Sequence, residues 1–351
     1  MMNMECKLEI LTAVNIGCGE VLSQFSDYVY DNGFVYYLDH DLLFRELAKK
    51  PECDEIIDQF VMIVQKQARG NVQDRFKLKS FLVENGLDYK KYTLRKVPVK
   101  EEVKEQIQLH IKSGNCAYIP GSSLKGAIRT ALISYFFKSG EDLSRRKRYI
   151  GEDIFGKYGE DVLKYLLISD TMPFPEENLR IVRFYKMNLK TKRTDIPVIK
   201  EVISRGSVST FSIKSKAKKG EVQEKFSFLL EGNEEALFEI INNYTQQNIE
   251  IELKQLHSCR GEEVKDLEEF YNSLLQEVNN ADSTKEAYLR IGSGKTYYDN
   301  TVAQKFSEDF RRQIIKNNFP KADVDFFPKT RTVIIEGFSK IAPGWVKITK
   351  I

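Results

Sequence analysis

The sequence predicts an α+β chain of two domains with a helical insertion, and three observations carry that prediction. The chain has 351 residues, which at roughly 100–200 residues per domain favours two domains over one. Short β-rich runs bounded by turn residues alternate with stretches of helical periodicity. The composition, 42% apolar and 30% charged, is that of a soluble globular protein with sizeable cores. The first domain is expected at residues 1–175, with its insertion at about 45–112, and the second at 176–351.

Taken in order, residues 8–14 read as an opening strand, followed by the loop Asn15-Ile16-Gly17-Cys18-Gly19. Asp27-Tyr28-Val29-Tyr30 and Phe34-Val35-Tyr36-Tyr37-Leu38 flank Asp31-Asn32-Gly33. This predicts a hairpin, because Asn-Gly tolerates the positive φ that a tight turn needs. Asp39 or Asp41 can cap a helix beginning near Leu42. Residues 54–111 look mostly helical and polar, as an insertion would.

The segment Tyr118-Ile119-Pro120-Gly121-Ser122-Ser123-Leu124-Lys125-Gly126-Ala127-Ile128-Arg129 carries most information. Pro-Gly turns the chain, and Ser122 or Ser123 can cap the helix that follows. Leu124, Ala127, Ile128, Ala131, Leu132 and Tyr135 define one buried helical face. Ser122, Lys125 and Arg129 fall on another stripe, beside helix N-terminal amides that attract anions. Gly126 costs about 1 kcal/mol of helix propensity relative to Ala, which a close backbone neighbour would explain. Periodicity alone fits an ordinary capped core helix with solvated cations equally well.

The net charge is only +3, but its distribution is uneven. Residues 180–219 hold twelve basic and two acidic side chains, whereas residues 231–286 hold four basic and fourteen acidic ones. Arg180, Arg183, Lys186, Lys190, Lys192 and Arg193, continuing through Arg205 to Lys219, interleave with Phe184, Tyr185 and Phe211. Single-stranded RNA is held by such a mixture of phosphate-tracking cations and stacking rings. A solvated loop anchored by its aromatics is the alternative. A short second cluster, Arg145-Arg146-Lys147-Arg148, has the same two readings. The acidic region has helical periodicity (Leu267, Phe270, Tyr271, Leu274, Leu275) and reads as a solvated face or a dock for a basic neighbour.

Several classes are disfavoured. The start lacks a signal-peptide pattern, and no apolar run reaches the ~18 residues of a membrane span. Five scattered cysteines without a CxxC pair, and three histidines far apart in sequence, give no support to zinc or disulfide chemistry. These features favour a cytoplasmic protein without membrane contact, and no cofactor or metal is expected.

The separated motifs resemble the RAMP superfamily of CRISPR effector proteins. Residues 11–19 look like its opening strand and glycine loop, and residues 119–129 like its Pro-Gly-Ser-Ser-x-Lys-Gly-x-x-Arg element. Ile154-Phe155-Gly156 and the strand at 166–170 resemble the continuation. Glu201 and Gly206 resemble the pair before the family's thumb-like hairpin. Leu289-Arg290-Ile291-Gly292-Ser293-Gly294-Lys295 resembles its late glycine loop, and Gly344-Trp345-Val346 its terminal strand. Length, insertion and ending look most like the type III-A (Csm) subunit that caps the crRNA 3′ end.

That resemblance implies two ferredoxin-like (RRM-like) domains and a noncatalytic role in binding crRNA, in its 3′ maturation and in complex assembly for antiviral defence. It implies the other Csm subunits as partners, above all the repeating RAMP backbone subunit. Target RNA and the cellular nucleases that trim the 3′ end are further implied partners. The RNA-binding residues it points to are Asn15, Gly17, Gly19, Ser122, Ser123, Lys125, Gly126, Arg129, Arg183, Lys186, Arg205, Arg290, Gly292, Gly294 and Lys295. Many relatives carry His where Asn15 stands, and an amide cannot transfer protons near neutrality.

Two enzymatic readings compete. Gly292-Ser293-Gly294-Lys295-Thr296 suggests a Walker A loop, but that motif needs glycine where Leu289 stands. A guide-processing endoribonuclease is the alternative function, with Asp27 and His40 as its candidate residues. His40, His110 and His257 form no convergent set in the sequence.

Overall fold

The computed structural model describes residues 2–68, 76–137, 151–195, 197–259, 261–324 and 327–351. Its first sheet has five antiparallel strands. From one edge these are β13 (Glu286–Arg290), β16 (Trp345–Lys350), β1 (Asn3–Ile10), β12 (Val208–Ser215) and β9 (Leu166–Ile168). Strand β1 alternates as its sequence demands, burying Met4, Cys6, Leu8 and Ile10 on one face. The strand expected at 8–14 thus starts earlier and ends at Ile10, and Val14 makes only an isolated bridge to Ile203.

Helices α4 (Gly121–Phe136) and α6 (Glu234–Cys259) cover that buried face. Leu124, Ala127, Ile128 and Leu132 of α4 join Leu237, Phe238 and Ile241 of α6 in one core with the sheet. Tyr135, expected on this face, is instead exposed in the last turn of the helix, while Phe137 just beyond it is buried. Along the chain, β1, α4, β9, β12, α6 and β13 follow a β-α-β-β-α-β order, with β16 inserted between β13 and β1.

The second sheet has six strands in the order β15 (Ser339–Ile341), β14 (Thr330–Glu336), β10 (Leu179–Asn188), β11 (Val198–Ile203), β6 (Ile107–His110) and β2 (Gly17–Leu22). Only the β11–β6 pair is parallel. Both sheets take strands from each side of residue 175, so the linear boundary expected there does not separate them. Helix α7 (Glu262–Asn279) packs on α6 through Val264, Leu267, Tyr271 and Leu274, as its periodicity predicts. Short helices α5 (Glu152–Phe155) and α8 (Glu308–Asn318) complete this part.

The hairpin is present: β3 (Tyr28–Asp31) and β4 (Phe34–Leu38) are joined through Asn32 at φ 47° and Gly33 at φ 79°. With β5 (Thr93–Pro98) they form a three-stranded sheet. Asp39 caps α1 (His40–Leu47), its carboxylate accepting from the Leu42 amide at 3.0 Å. Helices α2 (Cys53–Ala68) and α3 (Leu78–Glu84) lie in the segment read as an insertion, where a separate core centres on Leu47, Ile56, Leu78 and Leu82. The later part of the insertion is not helical: β5 and β6 both lie within it, and β7 (Lys112–Ser113) with β8 (Cys116–Ala117) makes a small hairpin at its end.

Candidate nucleic-acid interface

The two glycine loops, far apart in sequence, meet. Asn15 is buried and donates from Nδ2 to the carbonyls of Glu201 (2.8 Å) and Leu109 (3.3 Å). Its side-chain oxygen accepts from Ser293 Oγ at 2.7 Å, and its backbone carbonyl accepts from the Ser293 amide at 2.8 Å. At Gly292, φ is +69° and an added Cβ would stand 2.4 Å from the Asn15 carbonyl oxygen. Gly292 therefore serves loop-on-loop packing. Asn15 positions the loops, while Gly17 and Gly19 are exposed at the start of the edge strand β2.

His110 adds a further brace. The Ile16 amide donates to its Nδ1 at 3.1 Å, leaving Nε2–H to donate to the Tyr118 carbonyl at 2.9 Å. Burial holds its pKa down at about 4, and a neutral ring suits this donor–acceptor pattern. Next to it, Glu201 is buried and held by Tyr37 Oη at 2.7 Å and by Lys112.

Three lysines surround the late loop. Lys186 of β10 donates to Thr332 Oγ1 at 2.6 Å, and the Thr332 side chain lies against Gly294. Lys200 of β11 donates to Gln108 Oε1 (2.6 Å) and Ser293 Oγ (3.2 Å), and lies over the Phe184 ring. Lys295 is on the loop itself. Burial lowers the pKa of all three, and neighbouring cations lower it further: Arg290 for Lys186 and Lys295, and Lys186 for Lys200. Asp299 pulls Lys295 the other way. None of the three forms a salt bridge to a described residue. Partly desolvated ammonium groups, two of which repel each other, held only by neutral oxygen acceptors favour an anion. Lys200 was missed as a site residue, although it lies in the basic stretch and alternates with the buried Ile199 and Glu201 along β11.

Arg290 is not part of that surface, contrary to expectation. It is 5% exposed and binds Asp299 at 2.7 Å, the Pro343 carbonyl at 3.0 Å and the Gly294 carbonyl at 3.1 Å. A buried ion pair with its donors engaged stabilises the loop from beneath.

The helix after Pro120 also differs from its sequence reading. Pro120 is the N-cap residue and neither Ser122 nor Ser123 makes the cap; the Gly121 amide instead donates to Asp170 Oδ1 at 2.8 Å. An added Cβ at Gly121 would lie 2.2 Å from the Ile168 carbonyl oxygen, whereas Gly126 meets nothing within 4 Å. The close approach expected at Gly126 thus occurs at Gly121. Lys125 donates to the carbonyls of Leu163 (2.9 Å) and Leu166 (2.7 Å), and burial lowers its pKa. Arg129 pairs with Asp161 at 2.7 Å and lies over Phe155. Both cations fasten α4 to the segment leading into β9.

Phe184 and Phe211 are buried and offer no face to a base; Tyr185 is half-buried. Arg183 and Arg205 lie apart from the loops, lining a separate cleft with Tyr185. The cluster at 145–148 falls outside the described residues. Two of the three histidines, His40 and His110, lie closer together than the sequence suggested. His40 Nε2 is 3.5 Å from Asp27 Oδ1, and both line a cleft of about 560 Å³ with His110 and Lys112.

The family model of the RAMP superfamily matches residues 7–297. The chain is 29% identical to "CRISPR system Cms protein Csm5" of Methanocaldococcus jannaschii, covering 99% of this chain and 89% of that one. It is 27% identical to the protein of the same name in Streptococcus thermophilus, over 56% of this chain and 60% of that one. Among solved structures, it resembles a chain of a cryo-EM Csm-crRNA-target RNA ternary complex of a type III-A CRISPR-Cas system. The TM-score is 0.75 at 20% identity, covering 99% and 100% of the two chains. The crystal structure of T. onnurineus Csm5 matches with TM-score 0.66 at 20% identity, covering 97% and 99%. With the family's motifs placed on its loops and on α4, and the model matching most of its length, the chain belongs to the RAMP superfamily of CRISPR proteins.

Proposed function

We propose that the chain is a noncatalytic crRNA-binding subunit of a type III-A Csm effector complex, holding the 3′ end of the guide and assisting its maturation. The observation that carries this reading is the convergence of Lys186, Lys200 and Lys295 on the paired glycine loops, with no carboxylate of a described residue bound to them. Ammonium groups of that kind take a phosphodiester and release counterions. The names of the relatives and the RNA-containing structural neighbour support it. The repeating RAMP backbone subunit, target RNA and trimming nucleases are its proposed partners, in the cytoplasm. The β-α-β-β-α-β order supports an RRM-like reading of the five-stranded sheet. Among the described residues, no helix is long and apolar enough to cross a membrane.

Binding of single-stranded RNA over a salt series tests this. Lys186→Gln, Lys200→Gln and Lys295→Gln together should flatten the log–log salt slope by roughly 2, at ~0.7 per phosphate contact. An unaltered slope in a folded variant refutes the assignment.

One observation favours a second reading as a guide-processing endoribonuclease: Asp27 and His40 share a cleft with His110. End-labelled precursor RNA distinguishes the two. Discrete products that vanish in Asp27→Ala or His40→Ala would replace the noncatalytic reading.

A further inference from the structure

The six-stranded sheet is split. Strand β14 pairs with β10 only as far as Val333, opposite Tyr185, and then continues to Glu336 with β15 as its only ladder partner among the described residues. Strand β10 runs the other way through residues 179–184, paired with β11 on one side and making just the Val99–Ile181 bridge on the other. A cleft of about 650 Å³ opens where the two strands part. Its floor is apolar: Pro98, Val99 and Val182 are partly exposed there, above the buried Ala13, Val202 and Ile334. Backbone groups of residues 334–336 therefore border a greasy slot without a ladder partner on that side.

The walls are basic: Arg180, Arg183 and Arg205 line the slot together with Lys100. Two ion pairs cross it, Arg183 to Glu101 at 2.7 Å and Arg205 to Glu336 at 3.4 Å. Glu101 and Arg205 are mostly exposed, at 68% and 69%. Arg183 and Glu336 are less exposed, at 17% and 28%, but with one member of each pair in solvent another carboxylate can compete for the arginine. At the lip, Phe338 in the β14–β15 turn is fully exposed, and Ile335 beside it is exposed as well. Exposed apolar side chains next to an arginine-lined slot on an open strand edge have the composition of a peptide-binding surface.

We propose that this slot receives an extended acidic–apolar peptide segment of a partner protein, which adds a strand to β14 at residues 334–336. Its carboxylates displace Glu101 and Glu336 from Arg183 and Arg205, and its apolar side chains enter the floor. RNA fits less well, because it has no use for an apolar floor or for strand-edge amides. The proposal is independent of RNA capture at the glycine loops.

The test uses the full chain and a fluorescein-labelled decapeptide of alternating glutamate and valine, read by anisotropy and by hydrogen exchange. Saturable binding should slow exchange at residues 334–336. Arg183→Glu with Arg205→Glu should weaken it about tenfold, and Glu101→Gln with Glu336→Gln should strengthen it severalfold. The lysine–valine counterpart should not bind, and Lys200→Gln should leave peptide affinity unchanged. The proposal is overturned if neither the wild type nor the Glu101→Gln/Glu336→Gln variant binds the peptide. Binding without protection at 334–336, or displacement of the peptide by oligouridylate acting through Arg183 and Arg205, overturns it equally.

Discussion

The start of α4 and the loop at residues 292–295 carry the same ingredients: glycine, serine and cations close together in sequence. Their cations nonetheless have opposite fates. At α4, Lys125 is consumed by two carbonyls and Arg129 by Asp161. At the late loop, Lys186 and Lys200 donate to hydroxyls and Lys295 lies on the loop itself; the carboxylate that acts on Lys295, Asp299, is already bound to Arg290. A cation is most available to a phosphate where the fold has given it neither a carboxylate nor a pair of buried backbone carbonyls: Lys125 has two such carbonyls, whereas Lys200 has only the Gln108 side-chain oxygen and a hydroxyl. The better-matched motif is therefore the more structural one, and the plainer loop is the stronger candidate interface.

The largest effect expected from this contrast concerns Arg290. Its replacement by Ala strands Asp299 in the core and should cost about 3–5 kcal/mol in urea unfolding. A surface RNA ligand would instead lose affinity with its stability intact. Next comes Lys125→Met, which leaves the Leu163 and Leu166 carbonyls short of a donor. It should cost ~1–3 kcal/mol of stability while barely altering the RNA salt slope. A fall in slope with stability unchanged would put α4 back at the RNA.

A gentler comparison sets Asn15→Asp against Lys200→Gln. The aspartate would face the carbonyls of Glu201 and Leu109 without donors, so it should lower the melting temperature along with RNA affinity. Lys200→Gln should lower affinity alone, and calorimetry on the two variants separates positioning from contact.

The smallest effect at neutral pH belongs to His110. Its pKa in the fold is about 4 against an ordinary 6.5. The unfolded chain therefore binds more protons between those values, and stability falls as pH drops from about 6.5 towards 4. Chemical denaturation across that range should show a shallower loss in His110→Gln. An equally steep loss would assign the acid sensitivity elsewhere.

What could be read in advance followed local rules. The hairpin at Asn32-Gly33, the Asp39 cap, the buried stripe of α4 and the acidic pair α6–α7 each depend on neighbours within a few turns of chain. Misreadings arose wherever a distant residue supplied the partner. Asp170 took over the cap expected of Ser122 or Ser123, and the Ile168 carbonyl moved the crowded glycine from 126 to 121. Arg290 was drawn inward by Asp299, and Phe184 and Phe211 went into the core. Asp27, His40 and His110 were brought to one cleft although 83 residues separate the first from the last.

By itself, the sequence determined the mixed α and β character, the family and the loops worth inspecting, because propensity, periodicity and motif spacing are written in adjacent residues. Tertiary structure alone decided which charges stay free, since two groups compete for a proton or a carboxylate only once folding sets them within a few ångströms. It also decided where β14 parts from β10, because strand register depends on both strands at once.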